Sequence, residues 1–300
     1  MNEWILSQWG DVRTFEPLKK HTTYKIGGEA DYYVEPYDLN ALQSLIQALE
    51  NEQIPWMVLG NGSNVLVADR PYHGVIISLK KYFQHFRFDG SVLSAQAGCS
   101  IIALSREALN RSLSGLEFAS GIPGTLGGGI YMNAGAYRSD LAALIESVTV
   151  LRNGQIEVVP FEELGFTYRH SVFQQHRDWI ILEARLDLRR GKKEDIQALM
   201  DSRKQRRLAS QPVSRPSAGS VFRNPEGLNA WKIVDDLGYR GVRVGGARVS
   251  EVHSNFIINE NDASAKDVDT LIRLIQKDAR EKMGVDMVIE VERINWEEES

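Results

Sequence analysis

The chain has 300 residues, 43% of them apolar and 25% charged, with a net charge of −5 at neutral pH. This is the make-up of an ordinary globular protein with room for two domains and a sizeable core. The mildly acidic balance gives no support for nucleic-acid binding, and the single cysteine, Cys99, excludes an internal disulfide and a Cys-x-x-Cys redox pair.

No apolar run nears the roughly 20 residues that span a bilayer. The first ten residues lack the basic-then-apolar pattern of a secretory leader. The six histidines show no metal-ligand spacing. These features predict a cytoplasmic protein with no metal and no membrane or nucleic-acid partner.

In chain order, residues 1–20 read as a short helix and a connection. A glycine turn at Gly27-Gly28 leads into a strand over 30–34. Asp38 caps a helix to about residue 51, with Leu42, Leu45, Ile46 and Leu49 on one face. Strands follow at 56–59, 65–67 and 75–79. Asp89-Gly90 and Asn153-Gly154 are hairpin turns between alternating segments. Ser100 caps a helix to about 112, and 180–186 is a further strand. The charged run 189–193 reads as a domain boundary. Helices are expected over 194–208 and 229–237. A third, after Ser264, carries a capping box with Asp267 and stops at Gly284. Residues 285–294 read as a last strand, with Glu290, Glu292 and Ile294 on one face.

Four places carry candidate chemistry. The first is the stretch 119–137, where six glycines fall between Gly121 and Gly135 with apolar residues between them. Glycine at this density is costly inside an ordinary helix or strand, by about 1 kcal/mol each. It predicts a buried, shaped loop whose backbone comes close to a neighbour or an anion. The stretch matches neither the dinucleotide fingerprint G-x-G-x-x-G nor a P-loop. The second place is Leu59-Gly-Asn-Gly-Ser-Asn64, a strand end with the composition of a phosphate-lining loop or of a tight turn. Two such loops in one domain favour a cofactor.

The third is Phe166-Thr-Tyr-Arg-His-Ser-Val-Phe173. Its Arg169, in an apolar setting, must find a carboxylate from the protein or from a substrate. The fourth is Ser220, between Gly219 and an apolar pair. With no G-x-S-x-G elbow, it reads as a turn residue or as a hydroxyl that donates or relays a proton. Arg203-Lys-Gln-Arg-Arg207 reads as a solvated helix end or as a contact for a phosphorylated ligand.

Taken together, these residues resemble the UDP-N-acetylenolpyruvoylglucosamine reductases, the MurB flavoenzymes of bacterial cell-wall synthesis. The motifs that carry the resemblance run in order from His21-Thr-Thr-Tyr-Lys-Ile-Gly-Gly28 to Glu290-Val291. Between them lie residues 59–64, 121–128, Met132-Asn-Ala-Gly-Ala-Tyr137, Tyr168-Arg-His-Ser171 and Ala218-Gly-Ser-Val-Phe222.

The resemblance implies a mixed α+β fold with an FAD-binding domain of the vanillyl-alcohol-oxidase (PCMH) type. Two subdomains, 1–79 and 80–190, would bind FAD, and 191–284 would form a substrate domain, with the strand 285–295 packing back on the first. The chain would be a monomer or weak oligomer. It implies non-covalent FAD held by Gly60, Asn61, Gly62, Ser63 and Asn64 and by Gly121, Ile122, Pro123, Gly124, Gly128, Ala134 and Gly135.

It also implies that NADPH is the co-substrate and UDP-N-acetylglucosamine enolpyruvate the substrate. Hydride would pass from FAD N5 to C3 of the enolpyruvyl group, and Ser220 would protonate C2. Arg169 and Glu290 would stabilise the charge on the substrate carboxylate, at about 3 kcal/mol per well-aimed donor. Tyr137 and Asn224 would contact the sugar nucleotide.

Two departures from the family pattern stand out. Leu208 occupies the place of a diphosphate-binding lysine found in some members, which passes that contact to Arg206 or Arg207. The insertion that carries a closing tyrosine loop is absent. The competing readings are an FAD-dependent oxidase of the same fold and a non-catalytic nucleotide-sugar binder.

Overall fold

The fold is that of a computed structural model, which describes residues 3–296. Where the sequence suggested breaks near 80 and 191, the chain separates by contacts into two interleaved compact units. The first gathers residues up to Phe15, Asp31–Asn61 and His73–Gln205. The second gathers Glu16–Ala30, Gly62–Tyr72 and the residues from Arg206 onward.

The first unit is built on two sheets. One has the order Gln155–Pro160, Ile145–Arg152, Ile180–Asp187, Val92–Gln96, Phe86–Asp89, antiparallel throughout. Asn153 and Gly154 both have positive φ, which the tight hairpin between its first two strands demands. The other sheet has the order Gly10–Pro17, Glu29–Pro36, Tyr72–Ile77, Trp56–Val58, and its last pair is parallel. The helix Leu39–Asn51 starts where Asp38 accepts from the Ala41 N–H at 2.8 Å, and it buries Leu42, Leu45, Ile46 and Leu49 as its spacing predicted. Each such side chain is worth roughly 1.5–3 kcal/mol on burial.

Before residue 140, three features differ from the sequence expectation. Gly10–Pro17 is a strand, not a connection. Its alternation is hidden because Phe15, with φ +49°, is 69% exposed where a buried residue would signal the strand. The glycine stretch is not all loop, since Leu126–Tyr131 is a six-residue helix. Its glycines serve packing. A Cβ on Gly127 would lie 2.9 Å from the Ala97 Cβ, and one on Gly129 would lie 2.6 Å from the Ile101 Cδ1. Thirdly, residues 65–67 do not resume the strand at 56–58. Val65–Val67 pairs in parallel with Glu292–Ile294, in the second unit.

The second unit's core is organised by the helix Ala265–Met283. Ser264 and Asp267 form the expected capping box, and Gly284, at φ +67°, ends the helix. Val268, Leu271, Ile272 and Ile275 are buried with Phe222, Val234, Val249 and Ile257. The strands Arg243–Val244, Ala247–Val249 and Ile257–Asn259 form an antiparallel sheet. The predicted last strand is shorter than expected, at Glu292–Ile294. Upstream of it, Ile289 makes an isolated antiparallel bridge with Phe222. The segment changes partner between Glu290 and Glu292 and bends at Val291, so of the expected face only Glu292 and Ile294 lie in a regular strand.

No helix among the described residues is long and apolar enough to cross a membrane.

Candidate active site

The glycine loop 60–64 joins two strands and crosses from one unit to the other between Asn61 and Gly62. Its two halves are anchored separately. In the first unit, the Asn61 amide donates to the Pro123 carbonyl at 2.7 Å, which ties the loop to the second glycine stretch. A Cβ on Gly60 would lie 2.6 Å from the Thr125 Oγ1. In the second unit, the Gly62 carbonyl accepts from the Thr23 N–H at 3.0 Å, and a Cβ on Gly62 would collide with the His21 carbonyl at 2.2 Å. Gly62 also has φ +59°, so only glycine fits there without strain.

None of the five N–H groups from Gly60 to Asn64 donates to an acceptor among the described residues. Unpaired backbone N–H groups of this kind are the donors from which anion-binding nests are built.

The second glycine stretch contributes differently from the sequence expectation. Leu126 and Gly127 donate their N–H groups to the carbonyls of Cys99 and Ala97, at 2.8 and 2.9 Å. The Gly128 N–H reaches the Thr125 Oγ1 at 3.3 Å. What this stretch leaves open is surface. Gly128 is exposed, and a Cβ there would meet only the Thr125 Oγ1, at 3.3 Å. Gly121, Ile122, Gly124, Ala134 and Gly135 are half-buried, and Pro123 is exposed. Gly135 is glycine for the sake of its hairpin, since a Cβ would lie 2.5 Å from the Ser139 carbonyl.

Arg169 belongs to the first unit. Thr167 and His170 exchange both backbone hydrogen bonds, so Tyr168 and Arg169 are the tip of a tight turn. Arg169 has φ +56°, a conformation costly for any residue but glycine. Two amides hold this turn. Gln174 donates to the Arg169 carbonyl at 3.1 Å, and the buried Asn133 donates to the Thr167 carbonyl at 2.9 Å. The Arg169 guanidinium donates to the Gly135 carbonyl at 2.9 Å. Held strain around a charged side chain is characteristic of functional positions.

Tyr137 also has positive φ. Its hydroxyl donates to the Arg203 carbonyl at 3.0 Å, and the Arg203 guanidinium lies 5.1 Å from the centre of its ring.

Ser220 and Glu290 both lie in the second unit. The Glu290 N–H donates to the Val221 carbonyl and the Arg223 N–H to the Val288 carbonyl, each at 2.8 Å. The two segments are therefore antiparallel neighbours. Asn64 fixes the second one, with its amide on the Glu290 carbonyl at 3.0 Å and its own carbonyl accepting from Glu292 at 2.9 Å. The Ser220 hydroxyl is half-buried and makes no hydrogen bond among the described residues.

Asn224 is exposed, and its Oδ1 accepts from the Ala230 N–H at 3.0 Å, which leaves its NH2 group to donate. Arg206 is exposed and Arg207 half-buried, at the end of the helix Lys193–Ser210, while Leu208 is exposed.

The residue that the sequence reading missed is Asn255. It is buried and bonds both backbone polar groups of Phe222, two residues from Ser220. No spacing rule flags it, because its role exists only once Phe222 lies beside it. Among the described residues, no group of three His, Cys, Asp or Glu could hold a metal ion. Burial pushes the Cys99 thiol up to about 11, so it carries no thiolate near neutral pH.

Comparison with known proteins identifies the family. The family model for the C-terminal domain of UDP-N-acetylenolpyruvoylglucosamine reductase matches residues 211–294, and one for an FAD binding domain matches residues 30–159. A UDP-N-acetylenolpyruvoylglucosamine reductase of Bacillus licheniformis is 44% identical over 286 residues, covering 95% of this chain and 94% of its own. The chain belongs to the UDP-N-acetylenolpyruvoylglucosamine reductase family. The Bacillus subtilis reductase is 43% identical over 286 residues, with the same coverage. The crystal structure of the Thermus caldophilus reductase (MurB) is similar at a TM-score of 0.81 and 35% identity, covering 95% of this chain and 98% of that one. The fold is thus a mixed α+β one with an FAD-binding domain, as the motifs implied.

Proposed function

We propose that the chain reduces the enolpyruvyl group of UDP-N-acetylglucosamine enolpyruvate to UDP-N-acetylmuramate, a step of peptidoglycan precursor synthesis in the cytoplasm. NADPH is the reductant and FAD is bound non-covalently in a domain of the PCMH type. The observation that carries the reading is the antiparallel pairing of the Ser220 and Glu290 segments, within a chain 44% identical to a named reductase.

The free N–H groups of Gly60 to Asn64 hold the cofactor diphosphate, and the open face at Gly128 lets the cofactor approach the backbone. Bound FAD supplies the hydride that C3 receives. Negative charge then develops on the substrate carboxylate. Arg169 neutralises it, and Glu290 stabilises it through a shared proton. Ser220 gives its Oγ proton to C2, and the resulting alkoxide recovers a proton from water. A serine is a weak acid, but its target is a strongly basic carbon, and its hydroxyl has no competing partner among the described residues. Arg206 or Arg207 meets the substrate diphosphate in place of the lysine that Leu208 replaces. Tyr137 and the NH2 group of Asn224 bound the sugar nucleotide.

The test is Ser220→Ala under anaerobic conditions. NADPH should still bleach the flavin, while reoxidation by the sugar nucleotide falls by about 10²-fold or more, the usual contribution of a positioned acid. Unchanged turnover removes Ser220 from the acid role. A protein that takes up no FAD removes the flavin mechanism altogether.

A further inference from the structure

The segment that follows Ser220 has no ordinary sheet around it, yet the N–H groups from Val221 to Arg223 are all bonded. Val221 accepts from Glu290 and donates to the Asn255 carbonyl, and Arg223 donates to Val288, each at 2.8 Å. Phe222 is bonded entirely by one side chain. Its N–H donates to the Asn255 Oδ1 at 2.9 Å, and its carbonyl accepts from the Asn255 Nδ2 at 2.8 Å.

An amide is the one side-chain group that offers a donor and an acceptor spaced like those of a peptide unit. Asn255 thus acts as a single link of β-strand on the edge opposite Glu290. It is 5% exposed, and both Val221 and Phe222 are 1% exposed, so water cannot replace these bonds. The clamp stops abruptly on the other side. Gly219 has φ +78°, and a Cβ on it would meet nothing within 4 Å. Ser220 therefore stands between a clamped segment and an open glycine, and among the described residues its hydroxyl is unbonded.

We infer that Asn255 is the positioning residue for Ser220: by fixing both polar groups of Phe222 it sets where the Oγ proton is delivered. This rests on the reading of Ser220 as the proton donor. In that step the Oγ–H bond breaks, the C2–H bond forms with the electron pair on C2, and water returns a proton to the serine. In the proposed reaction the hydride comes from the reduced flavin and is indifferent to Ser220. Asn255 should therefore matter to one half of the reaction and not to the other.

The test uses the full-length flavoprotein and two variants. Asn255→Ala removes both bonds to Phe222. Asn255→Asp keeps the acceptor for the Phe222 N–H and loses the donor to its carbonyl. Anaerobic rapid mixing measures flavin bleaching by NADPH and then reoxidation by UDP-N-acetylglucosamine enolpyruvate. For Asn255→Ala, bleaching should stay within about twofold, while reoxidation slows by about 10²-fold, up to the full contribution of the acid. Its solvent deuterium isotope effect should also rise above the wild-type value, because proton delivery becomes the slow event. Asn255→Asp should fall between the two, and it decides the matter alone if Asn255→Ala does not fold.

Equal slowing of both halves makes Asn255 merely structural and overturns the inference, as does no slowing of either. An unchanged isotope effect in a slowed variant does the same. A wild-type protein that bleaches but is not reoxidised by the sugar nucleotide would instead remove the function on which the inference rests.

Discussion

Gly128→Ala sets stability against cofactor binding at a single atom. Residue 128 sits in the first turn of the helix Leu126–Tyr131 and is exposed. Alanine is favoured over glycine in a helix by about 0.5–1 kcal/mol. The only neighbour of the new methyl would be the Thr125 Oγ1 at 3.3 Å, a contact that small adjustments relieve. The cofactor-free variant should therefore melt at the same temperature as the wild type or up to about 4 °C higher, given the usual 2–4 °C per kcal/mol for domains of this size.

Binding should move the other way. If FAD lies against this bare backbone, the methyl occupies its van der Waals space, and affinity should fall by tenfold or more, which is about 1.4 kcal/mol. Calorimetric melting of stripped protein and flavin-fluorescence titration measure the two effects separately. Unchanged FAD affinity would refute the reasoning, because the open face would then have no bearing on the cofactor. Gly127→Ala is the internal control. Its methyl would lie 2.9 Å from the Ala97 Cβ, which cannot swing away, so it should lower the melting temperature.

Arg169→Gly should relax the turn while removing the guanidinium. The strain relieved at φ +56° is worth about 1 kcal/mol, so thermal stability should hold or rise while reoxidation of the flavin by substrate is lost. A variant that is both less stable and still active would contradict both roles. Asp267 gives a pH prediction. Burial works against its charge, but hydrogen bonds from the Ser264 and Gly246 backbone N–H groups hold its carboxyl below the ordinary value of 3.8. A lowered folded value means its stabilisation is present above pH 3.8 and is lost as pH falls through the folded value. Asp267→Asn should accordingly lower the melting temperature at pH 7 and narrow the gap from wild type in the most acidic range that the fold tolerates.

Much of this fold was legible because its local signals agree with its packing. Asp38, Ser100 and Ser264 each cap the helix expected of them, and Asn153-Gly154 turns the expected hairpin. The misreadings share a cause. Glycine density at 121–135 signalled close approach, but sequence does not say whether the approaching atom is a ligand or Ala97. The last strand reads as one alternating run, yet it serves Phe222 first and Val65–Val67 afterwards, a choice made by distant partners. The candidate site divides in the same way. Arg169, Ser220 and Glu290 stand in recognisable motifs. Asn255 does not, since an amide that imitates a peptide unit is visible only when the peptide it serves is beside it.

The interleaving of the two units has a consequence for the chain as it is made. The strand Val65–Val67 emerges early, but its partner Glu292–Ile294 comes almost last. At about 5–20 residues per second, the wait on a translating ribosome is on the order of 10–45 s. During that time the first unit has all its residues by Gln205, while Glu16–Ala30 and Gly62–Tyr72 remain without the core they join. The glycine loop 60–64 matures with the later event. Nascent chains halted before residue 292 should bind FAD poorly however well the first unit has folded, and loss of the residues from Glu292 onward should unsettle a loop laid down near the chain's beginning.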